Sequence, residues 1–310
     1  MLAALATGIS LQAAPPQARD AGSLAPPETN LIARLDLDEM HRSTLLGRLR
    51  ADYQREVSIA ETLMSLVVGF VPEDIGRVWL YASEPQRGVI LLEGRFSAAR
   101  IATKLRRLDG IESLEIPGVP YAGRMRERHE GRITVVAVLS DRLLALGEAQ
   151  AMQRMLAAWR GEIEGLPGQD PALQSVARSG HHLAATLREP AAWSALDPKA
   201  ATLVDRTFLK GRLTEDLRLE LDIEGVDDVA AEALENVLRG WLLIEQRNPR
   251  LEDQPALQNA LRSADLTRQA RLVRLSLELS GEQIARELAS RSGAHDDPQA
   301  RQSAPPPLAP

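Results

Sequence analysis

Two groups of side chains in this sequence have types and spacings that could do chemistry. The first is Asp36, Asp38 and His41. On an extended strand, residues two apart point to the same face. Asp36 and Asp38 would then offer paired carboxylates to a hard cation, with His41 close behind. The same acids equally suit a strand end running into a helix N-terminus, where negative charge is favoured. The second group is an arginine row. Arg124, Arg126 and Arg128 alternate along one predicted strand face, and Arg132 follows the turn. Guanidinium forks in such a row bind carboxylates or phosphates with two parallel hydrogen bonds.

Other polar groups fit structural roles. His181 and His182 are adjacent at a predicted strand start, so they point to opposite faces and cannot readily share a metal. His129-Glu130 begins like a zinc-binding HExxH helix, but Ile133 stands where the second histidine belongs. His295 lies in a tail with Asp296 and Asp297. Asp227-Asp228 reads as a helix N-cap. Trp79, Trp159, Trp193 and Trp241 are scattered along the chain and read as packing residues. There is no GxSxG elbow, Walker loop or GxGxxG. No cofactor is expected, and catalytic residues stay unassigned.

Composition narrows the classes further. The chain has 310 residues, 44% hydrophobic and 26% charged, as globular proteins do. It has no cysteine, which excludes disulfides, thiolate nucleophiles, Cys-ligated zinc and iron–sulfur clusters. The net charge of −6 argues against general nucleic-acid binding, which draws on surplus Lys and Arg. Charge is also uneven. Arg95 to Arg132 carries nine basic and five acidic residues, whereas Glu215 to Asp265 carries thirteen acidic and five basic ones. Either these are two solvated faces of opposite sign, or the first docks on an acidic partner or on the second half of another copy.

The elements that must position these groups divide the chain. Residues 1–14 are apolar and small and read as a signal peptide, although no basic residue precedes the apolar run. A Pro/Ala linker over 15–28 follows. Residues 291–310 read as a disordered Pro-rich tail. These features lead to a periplasmic or extracellular location. No apolar run reaches the roughly 20 residues that span a membrane as a helix.

Between the ends the pattern predicts an α+β fold of two similar units, 29–160 and 181–290, joined by 161–180. The first opens with an alternating strand over 30–37 and a long helix from about 41 to 70. Hairpins over 78–96 and 121–139, a helix from 97 to 108, a strand at 143–147 and a helix from 149 to 159 complete it. The second has a strand at 182–187 and a hairpin over 206–224. Helices at 228–247 and 254–262, a strand at 270–279 and a helix at 281–289 follow. VILLEGRFSAARIATKLRRL and LELDIEGVDDVAAEALENVL share the order strand, Gly turn region, helix. Clean alternation predicts antiparallel sheets with helices packed on one face and water on the other.

The passages GVILLEGRFSAARI and DRLLALGEAQAMQRMLAAWRGEIEGLPGQDPAL resemble a loose class of secreted bacterial proteins of unknown function built from duplicated α+β units. The resemblance covers most of the chain after residue 29 and implies the fold but no activity. The reading that follows is an exported, non-enzymatic binding or scaffold protein. The first alternative is a periplasmic carrier of a small apolar or anionic ligand. An exported hydrolase with a non-standard site ranks last.

Overall fold

The computed structural model describes residues 21–52, 65, 68–126, 133–166, 170–190, 198–251 and 254–293. The stretch expected as a signal peptide, most of the tail, Arg128, Arg132, Trp193 and much of the helix expected over 41–70 lie outside the described residues.

All the strands among the described residues join one antiparallel sheet of twelve, so the α+β class stands but the two units do not have separate sheets. The strands are β1 (Leu31–Asp36), β2 (Ile75–Glu84), β3 (Arg87–Gly94), β4 (Ile111–Leu114), β5 (Tyr121–Arg126), β6 (Ile133–Ser140) and β7 (Leu143–Glu148). The second half adds β8 (Leu183–Leu187), β9 (Val204–Leu213), β10 (Leu217–Gly225), β11 (Asp265–Gln269) and β12 (Leu272–Leu279). The order across the sheet is β11-β12-β10-β9-β8-β1-β2-β3-β7-β6-β5-β4. β1 and β8 pair at the middle through Ala33↔Ala185 and its neighbours, which makes the two halves continuous. Moving outward from that pair, the order is β1-β2-β3-β7-β6 on one side and β8-β9-β10-β12-β11 on the other.

The helices are α1 (Leu37–His41), α2 (Thr44–Asp52), α3 (Ala98–Leu105), α4 (Ala149–Arg160), α5 (Pro171–Ala177), α6 (Pro198–Ala201), α7 (Asp228–Glu245), α8 (Pro255–Arg262) and α9 (Gly281–Gly293). The first half departs from the one-face expectation. α4 and α5 cover one face of the sheet, where Met152, Met155, Leu156, Trp159, Leu173 and Val176 pack on Trp79, Leu91, Val135 and Ala145. α3 covers the opposite face, where Ile101, Ala102 and Leu105 meet Tyr121, Val138 and Leu144. The signal for this is the run ITVVAVL in β6. Its successive residues are apolar, as two-sided burial requires, and do not alternate. Each of these large side chains, fully buried, contributes roughly 1.5–3 kcal/mol.

The second half keeps the expected arrangement. α7 and α8 pack on Leu221, Ile223, Val273 and Leu275. The alternate residues of β10, Arg218, Glu220, Asp222 and Glu224, pair across strands with Arg212, Lys210, Phe208 and Arg206 on the other face.

Three further stretches differ from the expected pattern. Part of the stretch read as a linker over 15–28 belongs to the core. Ala21, Leu24 and Ala25 are buried beside Tyr81 and α4, Tyr81 Oη donates to the Ala21 carbonyl at 2.9 Å, and Leu166 N–H donates to the Ala25 carbonyl. Its small apolar residues fill the space between α4 and the sheet. The connection over 161–180 likewise folds into that core, since Leu166, Leu173 and Val176 are buried there. The helix expected to run unbroken from 41 is interrupted at Arg42-Ser43, where the Ser43 hydroxyl accepts from the Leu46 N–H and starts α2.

Candidate functional site

A cleft of about 330 Å³ opens between α4 and the far end of the sheet. Its floor is Leu114, Ile133 and Val135 from β4 and β6, with Ile116 from the loop after β4. Its wall is Ala149, Met152, Gln153, Leu156 and Arg160 of α4. These helix positions recur at spacings of one, three and four, so a single face of α4 supplies them. The helix is held firmly there. Glu148 caps its N-terminus by accepting from Gln150 and Ala151 N–H groups, and Gly161 ends it at φ 79°, a left-handed conformation that glycine adopts without strain. Arg154 on its outer side pairs with Glu28 at 2.8 Å.

Arginines rim this apolar cleft. Arg124 lines it from β5 and grips Glu112 on β4 with two hydrogen bonds of 2.8 Å. These bonds hold the Glu112 carboxyl below the usual carboxylate range. Arg160 lines the other side and bonds Glu162 at 2.6 Å. Arg126 lies opposite Ile133, a floor residue, and shares the sheet face of Arg124. It is exposed and has no hydrogen-bond or ion-pair partner among the described residues. The arrangement can seat a short apolar body and present a guanidinium to an anionic group. Of the expected row, Arg124 lines this cleft and Arg126 stands beyond it on the same strand face, while Arg128 and Arg132 lie outside the described residues.

The structure separates the Asp36, Asp38 and His41 group. β1 ends at Asp36 and Asp38 is already in α1, so the two acids do not share a strand face. Asp36 caps α1 by accepting from the Glu39 N–H at 3.2 Å, and Arg77 approaches its other oxygen at 3.3 Å. His41 closes the helix. Among the described residues no group of three or more His, Asp or Glu side chains could hold a metal ion. The helix-terminus alternative accounts for these acids. His181 bonds the Ser179 hydroxyl at 2.8 Å, and His182 Nδ1 accepts from the Leu213 N–H at 2.9 Å, so each is engaged locally.

A second polar surface is the uncovered face of β9, β10 and β12. Lys210 Nζ donates to Glu220 and to Asp222 at 2.5 and 2.8 Å, and Arg274 Nε donates to Asp222 at 2.7 Å. The four charges compensate one another, which makes the lattice a structural feature. Burial pushes the Asp222 carboxyl up, but the bonds from Arg274 and Lys210 outweigh it and hold it below its ordinary range. An aspartate lowered on folding stabilises fully above its unfolded value of about 3.9, and that contribution is lost as pH falls through the lower folded value. Asp222→Asn is therefore expected to lower stability near pH 7 by about 1–2 kcal/mol, since hydrogen bonds to charged groups are worth about 1.5–3 and this one is partly exposed. Its urea midpoint should then fall less than the wild type's between about pH 5 and about pH 2. Parallel slopes in the two proteins would show that Asp222 carries no such linkage.

The apolar part of the cleft was not foreseen from sequence. β4, with only IESL to declare it, carries too little apolar pattern to announce a strand, and nothing local links it to the face of α4. Nor was Trp241 foreseen as a surface residue. Trp79 and Trp159 are buried as packing residues should be, but Trp241 is 42% exposed.

No family model matches the sequence, and no curated protein matches it. Two crystal forms of TP0453, a Treponema pallidum protein, are similar in structure, each at a TM-score of 0.48. Form I is 11% identical and form IV 10% identical, and the match covers 86% of this chain and 98% or 97% of theirs. A likeness of that degree assigns neither a family nor a role.

Proposed function

We propose that this protein is a non-enzymatic binding protein that holds a small amphiphile, an apolar body with one anionic group, in the cleft beneath α4. The observation that carries the reading is the joint one of apolar lining and arginine rim. Leu114, Ile116, Ile133, Val135, Met152 and Leu156 form the interior, and Arg124 and Arg160 stand at the mouth. Small-molecule sites have this composition, mostly apolar with a few placed polar groups. The volume, about 330 Å³, is at the lower end of the range of roughly 300–1,000 Å³ for such sites. It suits a medium-chain acid better than a whole phospholipid.

This places the carrier reading ahead of the scaffold reading. The arginine row that would have docked an acidic protein is part-neutralised, because Glu112 occupies the fork of Arg124. The apolar run from Leu2 to Leu11 supports a place in the periplasm or outside the cell. The common outward strand order from β1 and β8 supports reading the two halves as one unit used twice.

The test uses decanoate and decanol as probes in calorimetric titrations. Decanoate is expected to bind saturably and more tightly than decanol. Arg124→Gln should weaken decanoate about tenfold, which is about 1.4 kcal/mol, and leave decanol unchanged. Gln153→Trp, which places an indole across the cleft, should abolish both. Equal binding of decanoate to wild type and Gln153→Trp would sink the proposal.

A further inference from the structure

Helix α7 is apolar on two sides. One side, Ala231, Leu234, Leu238 and Leu242, is packed against the sheet and α8. The other side carries Val229, Ala233, Val237, Trp241 and Ile244, at spacings of four, four, four and three. That spacing draws a continuous stripe along the helix. Val229 is 77% exposed, Val237 56% and Ile244 70%. Over 15 residue steps the stripe is about 22 Å long at 1.5 Å per residue. Valine, isoleucine and tryptophan concentrated on one surface mark a contact site, whereas scattered exposed apolar residues do not.

Charge decides what fits it. Helices that lie on lipid flank their apolar stripe with Lys and Arg. α7 instead carries Asp228, Glu232, Glu235 and Glu245 against Arg239 alone, and Arg239 is bonded to Glu235 at 2.6 Å. The acids Asp228 and Glu232 at its start have no partner among the described residues. Neither have the side chains of Arg247 and Arg250 just beyond its end. One helix thus has an unpaired acidic end, an unpaired basic end and an apolar stripe centred on Val237.

We infer that α7 is the contact surface between two copies of this chain, which pair their α7 helices antiparallel about a twofold axis at Val237. In that register Val237 meets Val237. Ala233 of each copy faces Trp241 of the other, small against large, and Val229 faces Ile244. Asp228 of each copy comes level with Arg247 of the other. The antiparallel arrangement also sets the positive end of each helix dipole against the negative end of its neighbour. A twofold contact of this kind is self-complementary and closes at two copies.

The absence of cysteine gives a direct test on the full chain. Sedimentation velocity should give a dimer for the wild type. Val237→Glu, which would set two carboxylates face to face on the axis, should raise the dissociation constant at least about 100-fold. Its circular dichroism and melting should match the wild type, because the side chain is exposed. Under oxidation Val237→Cys should link to itself, whereas Val229→Cys should link only when mixed with Ile244→Cys. A wild type that stays monomeric at every concentration would overturn the inference. So would self-linking of Val229→Cys, the signature of parallel helices. A blue shift of Trp241 emission with phosphatidylcholine–phosphatidylglycerol vesicles, abolished by Val237→Glu, would assign the stripe to lipid instead.

Discussion

Arg34→Met is expected to be about 3–5 kcal/mol less stable than the wild type in urea unfolding. Arg34 stands on β1 next to the middle of the sheet and is only 7% exposed. Its guanidinium donates to three backbone carbonyls, those of Ala177 and Ser179 at 2.5 Å and that of His181 at 3.1 Å. These are the orphan acceptors at the C-terminus of α5 and in the turn that leads into β8. A cation there also meets the negative end of the helix dipole. Methionine fills the stem but leaves three part-buried carbonyls unpaired, and each such group costs about 1–3 kcal/mol. The connection would then lose what ties it to the centre of the sheet. Arg34→Lys separates charge from geometry. An ammonium keeps the charge but cannot span three carbonyls with a planar fork, so it should recover about half of the loss. A Met variant within about 1 kcal/mol of the wild type would show that water replaces the guanidinium at little cost.

Gly147→Ala is expected to cost about 3 kcal/mol, the upper part of the usual range for overpacking. Gly147 of β7 pairs with Val89 of β3, and β3 links the β1–β2 side of the sheet to β7 and β6. A Cβ there would stand 2.5 Å from the Gly88 carbonyl oxygen, 2.9 Å from Val89 Cα and 3.0 Å from Val89 Cγ2. Two of these atoms belong to the backbone and cannot rotate away. The strands must separate, and the hydrogen bonds between β3 and β7 lengthen with them. Gly110→Ala serves as the control. Its glycine also carries a conformational cost, at φ 85°, but nothing lies within 4 Å of its Cβ position. If Gly147→Ala melts no lower than Gly110→Ala, the close approach of β3 and β7 is not what requires glycine.

The elements were largely legible because each obeys a local rule. β10 alternates leucines and charges, so its strand, its buried side and its open side all follow from period two. α4 follows from apolar spacing between Glu148 and Gly161. α3 follows Ser97, whose hydroxyl caps it by accepting from the Arg100 N–H. Strands β4 and β11, IESL and DLTRQ, escaped because short edge strands bury little and so need no apolar pattern. The burial of Ala21, Leu24 and Ala25, within the stretch expected as a linker over 15–28, escaped for a related reason. AGSLAPPE has a loop's composition, and its burial depends on the groove that α4 and β2 make for it.

The candidate site was legible only in its charges. Alternation places Arg124 and Arg126 on one strand face, and they stand there. Alternation cannot say that Glu112 takes one of them, because that pairing comes from a strand twelve residues away. The Asp36–Asp38 spacing misled because the chain changes from strand to helix between them, which turns a shared face into a capping interaction.

By itself the sequence determined the α+β class, most of the strands and helices, which side of β10 faces water, and the chemistry excluded by the lack of cysteine. These depend on neighbours a few residues apart and on composition. The tertiary structure decided that β1 and β8 join everything into one sheet, that the first half is covered on both faces and the second on one, and where an apolar cleft meets an arginine rim. It also decided which apolar side of α7 is buried and which is left outward. Those outcomes are set by contacts between residues far apart in the chain, and a periodic pattern specifies that a face is apolar without specifying what will cover it.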